Sequence, residues 1–141
     1  MTGYQLAIRK ARGQRLDTPV PRTWADAPAP AQVAKKAAEA VGHGRDITKK
    51  QVPLVTNLMH WGYGTWWGVA YGLLARRLAP DAVSGAATLG GALWGVQYAE
   101  LVPLGIAKPP WEYPAQEVAL DLSYHLVYGA AVAATYEALR A

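Results

Sequence analysis

Three stretches of this chain are apolar, rich in glycine and of one length: Leu54–Ala75, Ala82–Val102 and Glu117–Leu139, 21 to 23 residues each. As helices they would run about 30 to 35 Å, the thickness of a bilayer's hydrocarbon core. The punctuation agrees with that division. Pro53 opens the first stretch, Arg76-Arg77 and Pro80-Asp81 separate it from the second, and Lys108-Pro109-Pro110-Trp111-Glu112-Tyr113-Pro114 separates the second from the third. Trp111 and Tyr113 in that connection suit the interfacial belt, where amphipathic rings sit among headgroups.

Glycine spacing argues for lipid over water. Gly64, Gly68 and Gly72 recur every four residues on one face of the first stretch, as do Gly91 and Gly95 in the second. In a soluble helix each glycine costs about 1 kcal/mol relative to alanine. In lipid the same spacing lets backbones approach closely and pack. The expected fold is therefore all-α, a small three-span transmembrane bundle over residues 53–141. Gly64, Gly68, Gly72, Gly91, Gly95 and Gly129 are its expected helix-packing positions, through which a second copy or another membrane protein would associate.

The overall mean hydropathy of +0.00 conceals this arrangement, because it averages two unlike halves. Residues 1–52 carry ten of the fourteen Lys and Arg against four acids, a net of +6. Ala-Pro alternation leads into an Ala/Lys/Glu-rich helix expected near residues 30–41, stopped by Gly42 and Gly44. Its apolar face is thin, so it reads as solvated or interfacial, and His43 reads as an exposed turn residue. Met1–Ile8 resembles the last turns of a helix whose start is missing; the preferred reading is a short amphipathic segment on a membrane surface. No apolar run suited to a secretory signal follows the early basic residues, and nothing in the tail has the context of a nucleic-acid binder. Basic residues near the span ends, Arg45, Lys49, Lys50 and Lys108 against Arg76 and Arg77, put the N-terminus in the cytoplasm and the C-terminus outside.

Catalytic classes fall away by residue type. With no Cys there is no disulfide, thiolate metal site or thiol nucleophile. Ser84 and Ser123 are the only serines, Ser123 is two residues from His125 and so points elsewhere on a helix, and no phosphate loop or HExxH occurs. Neither an enzyme nor a cofactor is expected.

An internal repeat instead draws attention to polar residues within the apolar stretches. His60-x-x-Tyr63-Gly64-x6-Tyr71 matches His125-x-x-Tyr128-Gly129-x6-Tyr136, and Trp67-Gly68-Val69-Ala70-Tyr71 echoes Trp94-Gly95-Val96-Gln97-Tyr98. Spans one and three run parallel, so equivalent residues lie at equal depth. Asn57, His60, Tyr63, Tyr98, Glu100, Asp121, His125 and Tyr128 are thereby expected to converge in a buried cluster in the cytoplasmic third. Ionisable groups at such depth pair or line a wet cavity. Three roles stay open: interhelical hydrogen bonding, proton or ion handling, and a metal or haem site on His60, His125 and Glu100.

Through His60, Tyr63, Gly64, Gly95, Glu100, His125, Tyr128 and Gly129, residues 53–141 resemble the YagU-like family of small uncharacterised bacterial inner-membrane proteins. The resemblance implies an integral inner-membrane protein with no catalytic residues to carry over. Family members look to have an additional early span, which fits a start preceding Met1. An accessory or stress-related membrane role is expected, with a proton-linked channel or transporter as the alternative.

Overall fold

The computed structural model describes residues 7, 8, 10, 11, 13, 21–78 and 81–140. The expectations for Met1–Ile8 and the basic residues Arg9, Arg12 and Arg15 fall wholly or largely outside them. The described chain is all-helical, with four α-helices: α1 (Ala29–Ala40), α2 (Val52–Leu78), α3 (Ala82–Leu101) and α4 (Ala115–Arg140). Each of the three apolar stretches is one helix, within a few residues of its expected ends. One of them, α4, is long and apolar enough to cross a membrane by length and composition. The expectation of three such spans is met in helix number and position alone. In α2, Trp61, Trp66, Trp67, Tyr63, Tyr71 and four glycines take the places aliphatic residues would hold, and α3 is rich in Gly and Ala.

The helix ends follow local chemistry. Pro28 and Pro30 bracket the start of α1, where a missing N–H removes no helical bond. At its end Gly42 takes φ +82°, while its N–H and that of His43 donate to the Glu39 and Ala38 carbonyls at 3.1 and 2.7 Å. That pairing closes the last turn and needs the left-handed conformation glycine allows. Asp81 caps α3: its carboxylate accepts from the Val83 and Ser84 N–H groups at 2.8 and 2.9 Å. Its own N–H donates back to Ser84 Oγ at 3.3 Å, a reciprocal capping box. Hydrogen bonding from Ser84 holds the Asp81 carboxyl below its ordinary pKa.

The chain divides into two compact units, Met1–Tyr63 and Gly64–Ala141. The division falls inside α2. In the first unit, Ala27, Ala31 and Val52 are buried together, with Trp24 and Val55 packed against them. In the second, the core is Tyr71 and Ala75 of α2, Leu89 and Leu93 of α3, and Ala133 of α4.

The closest packing lies between α3 and α4, and glycine permits it. A Cβ on Gly129 would meet the Ala86 carbonyl oxygen at 2.5 Å and the Gly90 nitrogen at 2.9 Å. One on Gly90 would meet the His125 carbonyl oxygen and Leu126 Cα, each at 2.8 Å. Gly85 leaves room for the Tyr71 hydroxyl. Gly129 thus packs as expected, whereas Gly64 and Gly68 make only ordinary contact with the Tyr128 ring or hydroxyl, at 3.7 Å. Gly72, Gly91 and Gly95 face open space. Within the chain, their expected packing role passes to Gly85 and Gly90. The reason is helical phase: Gly85, Leu89, Gly90 and Leu93 share the buried stripe of α3, and Gly91 and Gly95 lie beside it.

Candidate functional site

The α3–α4 crossing sets which polar residues meet. From Gly90 to Gln97 is seven residues along α3, and from Gly129 back to Asp121 is eight along α4. Two antiparallel helices pinned at the glycines therefore bring Gln97 and Asp121 level, about 11 Å beyond the crossing. There Gln97 Nε2 donates to Asp121 Oδ2 at 3.0 Å, and the Tyr98 hydroxyl donates to the same oxygen at 3.3 Å. Asp121, Gln97 and Tyr98 are half-buried. Aromatic rings surround the group: Trp94 meets Tyr98 edge-on at 5.3 Å, and Tyr113 lies 6.5 Å from Tyr98 between ring centroids. The Tyr113 hydroxyl accepts the Lys108 N–H at 3.0 Å, closing the connection on itself, and the Tyr113 ring contact with Tyr98 ties it to that end of the helix pair.

His125 stands one turn beyond Asp121. Its Nδ1 lies 2.9 Å from the Asp121 carbonyl oxygen, an acceptor only, so Nδ1 carries the proton and Nε2 is the free acceptor of the neutral ring. The Tyr128 hydroxyl donates to the Gly64 carbonyl of α2, away from Asp121. Tyr71 and Tyr136, equivalent positions in the internal repeat, meet edge-on at 5.7 Å. Here the equal depth expected of the repeat is realised.

Neither a family model, a curated protein nor a solved structure matches this chain.

The expected polar cluster needs correction. No polar or charged residue among those described is buried. Of the eight candidates, Asp121 and Tyr98 are joined, His125 adjoins Asp121 along its own helix, and Tyr128 bonds elsewhere. Glu100 is exposed. Asn57, His60 and Tyr63 belong to the first unit and are exposed too. Among the described residues no group of three or more His, Asp or Glu could hold a metal ion, so the His60, His125 and Glu100 reading has no ligand set behind it. Depth places residues at one level of a bundle, but each step along a helix turns 100°, and equal depth does not make two side chains face. Gln97 was the residue missed. Its signal was its place in the Trp94-Gly95-Val96-Gln97-Tyr98 echo, seven residues from Gly90 on one helical stripe.

Chemically, one carboxylate oxygen with an amide and a phenol donor, bordered by apolar surface, does two things. It locks α3 to α4 in register, and it sets a carboxylate between helices.

Proposed function

We propose that this chain is an integral, non-enzymatic membrane protein in which α2, α3 and α4 cross the bilayer, the N-terminal unit lies on the cytoplasmic side, and the bundle serves an accessory role. The bacterial inner membrane is the proposed location, in keeping with the resemblance to YagU-like proteins. One observation carries the reading: apolar side chains point outward from all three long helices. Leu73 is 79% exposed, Val83 80% and Trp61 71%. Leu58, Trp66, Val69, Leu126 and Leu139 are exposed as well, while alanine, glycine, two leucines and one tyrosine fill the interior of the second unit. Water disfavours an exposed apolar surface of this extent; lipid is its natural solvent, and small residues between helices suit lipid-phase packing. Gly72, Gly91 and Gly95, open within the chain, are the proposed faces for a second copy or a partner helix. Expressed in a bacterial host, the protein should remain with the membrane pellet through an alkaline carbonate wash. Recovery in the supernatant of a detergent-free lysate overturns the reading.

A second reading, proton-linked transport, is favoured by Asp121 and its two donors on the helix best suited to span. In liposomes with an internal pH dye, transport requires dissipation of an imposed pH gradient faster than in empty vesicles, abolished by Asp121→Asn. Leak equal to that of empty vesicles removes it.

A further inference from the structure

Among the described residues of the first unit cations outnumber acids, Lys10, Arg22, Lys35, Lys36, Arg45, Lys49 and Lys50 against Asp26, Glu39 and Asp46. Asp26 accepts from the Thr23 N–H and hydroxyl at 2.9 and 2.8 Å. Glu39 pairs with Lys35 at 3.5 Å, and Asp46 lies 3.0 Å from His43 Nδ1. Two of the lysines are spent on architecture. Lys35 donates to the Gly44 carbonyl and lies over the Trp24 ring, closing α1 onto the turn after it; Lys49 donates to the Arg22 carbonyl at 2.5 Å. Lys10 apart, that leaves Arg22, Lys36, Arg45 and Lys50, all exposed and with no acid pairing among the described residues. Each is the chain neighbour of a residue in those closures, so they project from a knitted unit and not from loose chain.

Lys50 stands two residues before an apolar helix, and Arg22 is bonded through its carbonyl to the neighbouring Lys49. Val52, the first residue of α2, is buried against Ala27 and Ala31, which fastens the unit to the helix start. Leu54, Leu58 and Trp61, exposed at 59, 64 and 71%, follow within the next turns. At 1.5 Å per residue Lys50 lies about 6 Å before Leu54, which is the depth of a headgroup layer.

We propose that Lys36, Arg45 and Lys50, with Arg22, form a binding surface for anionic phospholipid headgroups where α2 enters the bilayer. This rests on the membrane reading above. The chemistry is charge complementarity: lipid phosphates supply the counter-charge that the described acids, Asp26, Glu39 and Asp46, are too few to give, and juxtamembrane Lys and Arg are attracted to anionic leaflets.

The test uses the full chain in nanodiscs and spin-labelled lipids, comparing association of phosphatidylglycerol with that of phosphatidylcholine. A cation near an anionic surface contributes on the order of fivefold at low salt, so the K36Q/R45Q/K50Q variant should lose at least about that much preference. Because none of the three is engaged inside the unit, its helical circular dichroism should be unchanged. As a control independent of any variant, 1 M salt should suppress the wild-type preference, since charges more than about 3 Å apart are then screened. Stable insertion with equal association of the two lipids, or a preference the triple variant retains, overturns this inference and leaves the membrane reading standing. Failure to insert into either nanodisc and loss to a carbonate wash overturn both. Binding of a single-stranded RNA oligonucleotide in phosphatidylcholine nanodiscs, lost in the triple variant, reassigns the surface to nucleic acid and overturns the lipid proposal.

Discussion

At Gly129 the backbones of α3 and α4 come so close that a single methyl group has nowhere to go. Its Cβ would fall 2.5 Å from the Ala86 oxygen and 2.9 Å from the Gly90 nitrogen, both backbone atoms that cannot swing aside. Gly129→Ala should therefore destabilise the protein by about 1–3 kcal/mol, the usual range for overpacking, measured as lost thermal stability in detergent. Gly62→Ala, with open space at its Cβ, should be neutral or gain up to about 1 kcal/mol from helix propensity; equal losses at the two positions refute the packing described. Asp121 makes a second residue-scale claim. Gln97→Leu and Tyr98→Phe each remove one donor, and each should cost roughly 0.6–1.7 kcal/mol, as interhelical hydrogen bonds in membranes do. An additive double variant would mean that the two donors do not share Oδ2. Gly129 and Asp121 were both legible in the sequence as polar or small residues in apolar stretches. Gln97, Gly85 and Gly90 were not, because which of several glycines or amides faces a neighbour depends on helix rotation.

Among the elements, α3 has the most explicit start signal. Asp81 and Ser84 hold each other's backbone N–H groups, and this bonding depresses the Asp81 pKa in the folded state. For a group whose folded pKa is depressed, the linked stability is present above the unfolded value of about 3.9 and is lost as pH falls through the folded pKa. Amide exchange at Val83 and Ser84, taken relative to the intrinsic rate of an unprotected amide at the same pH, should thus be slow at pH 6 and accelerate below about pH 4, and in Asp81→Ala it should be fast at both. Asp81→Asn, a good cap without a titrating carboxyl, should be slow and independent of pH. Acceleration on acidification in that variant would show another group responsible. The existence and approximate ends of α1 to α4 followed from prolines, glycines and Asp81, since those residues act over one turn of their own helix. Within the chain the expected GxxxG faces do not make the close packing, since a repeat of four defines a face without saying what covers it.

For the whole molecule, the proposal of three crossings predicts that the N-terminal unit and the α3–α4 connection lie on one side of the membrane and the end of α4 on the other. The chain has no Cys, so single cysteines report without background. An impermeant maleimide added to spheroplasts should label Leu139→Cys and spare Arg45→Cys and Trp111→Cys until the membrane is permeabilised. Labelling of Arg45→Cys and Leu139→Cys from the same side excludes an odd number of crossings. Composition and spacing alone determined that the chain is helical, where its helices run and how sharply charge divides along it. These are properties of local backbone preference and residue type. Tertiary structure alone decided that Gly85, Gly90 and Gly129 carry the close packing, that Gln97 and Tyr98 serve Asp121, and that the eight polar candidates form no buried cluster. Those outcomes turn on the relative rotation and register of helices, which sum many weak contacts between residues far apart in the chain.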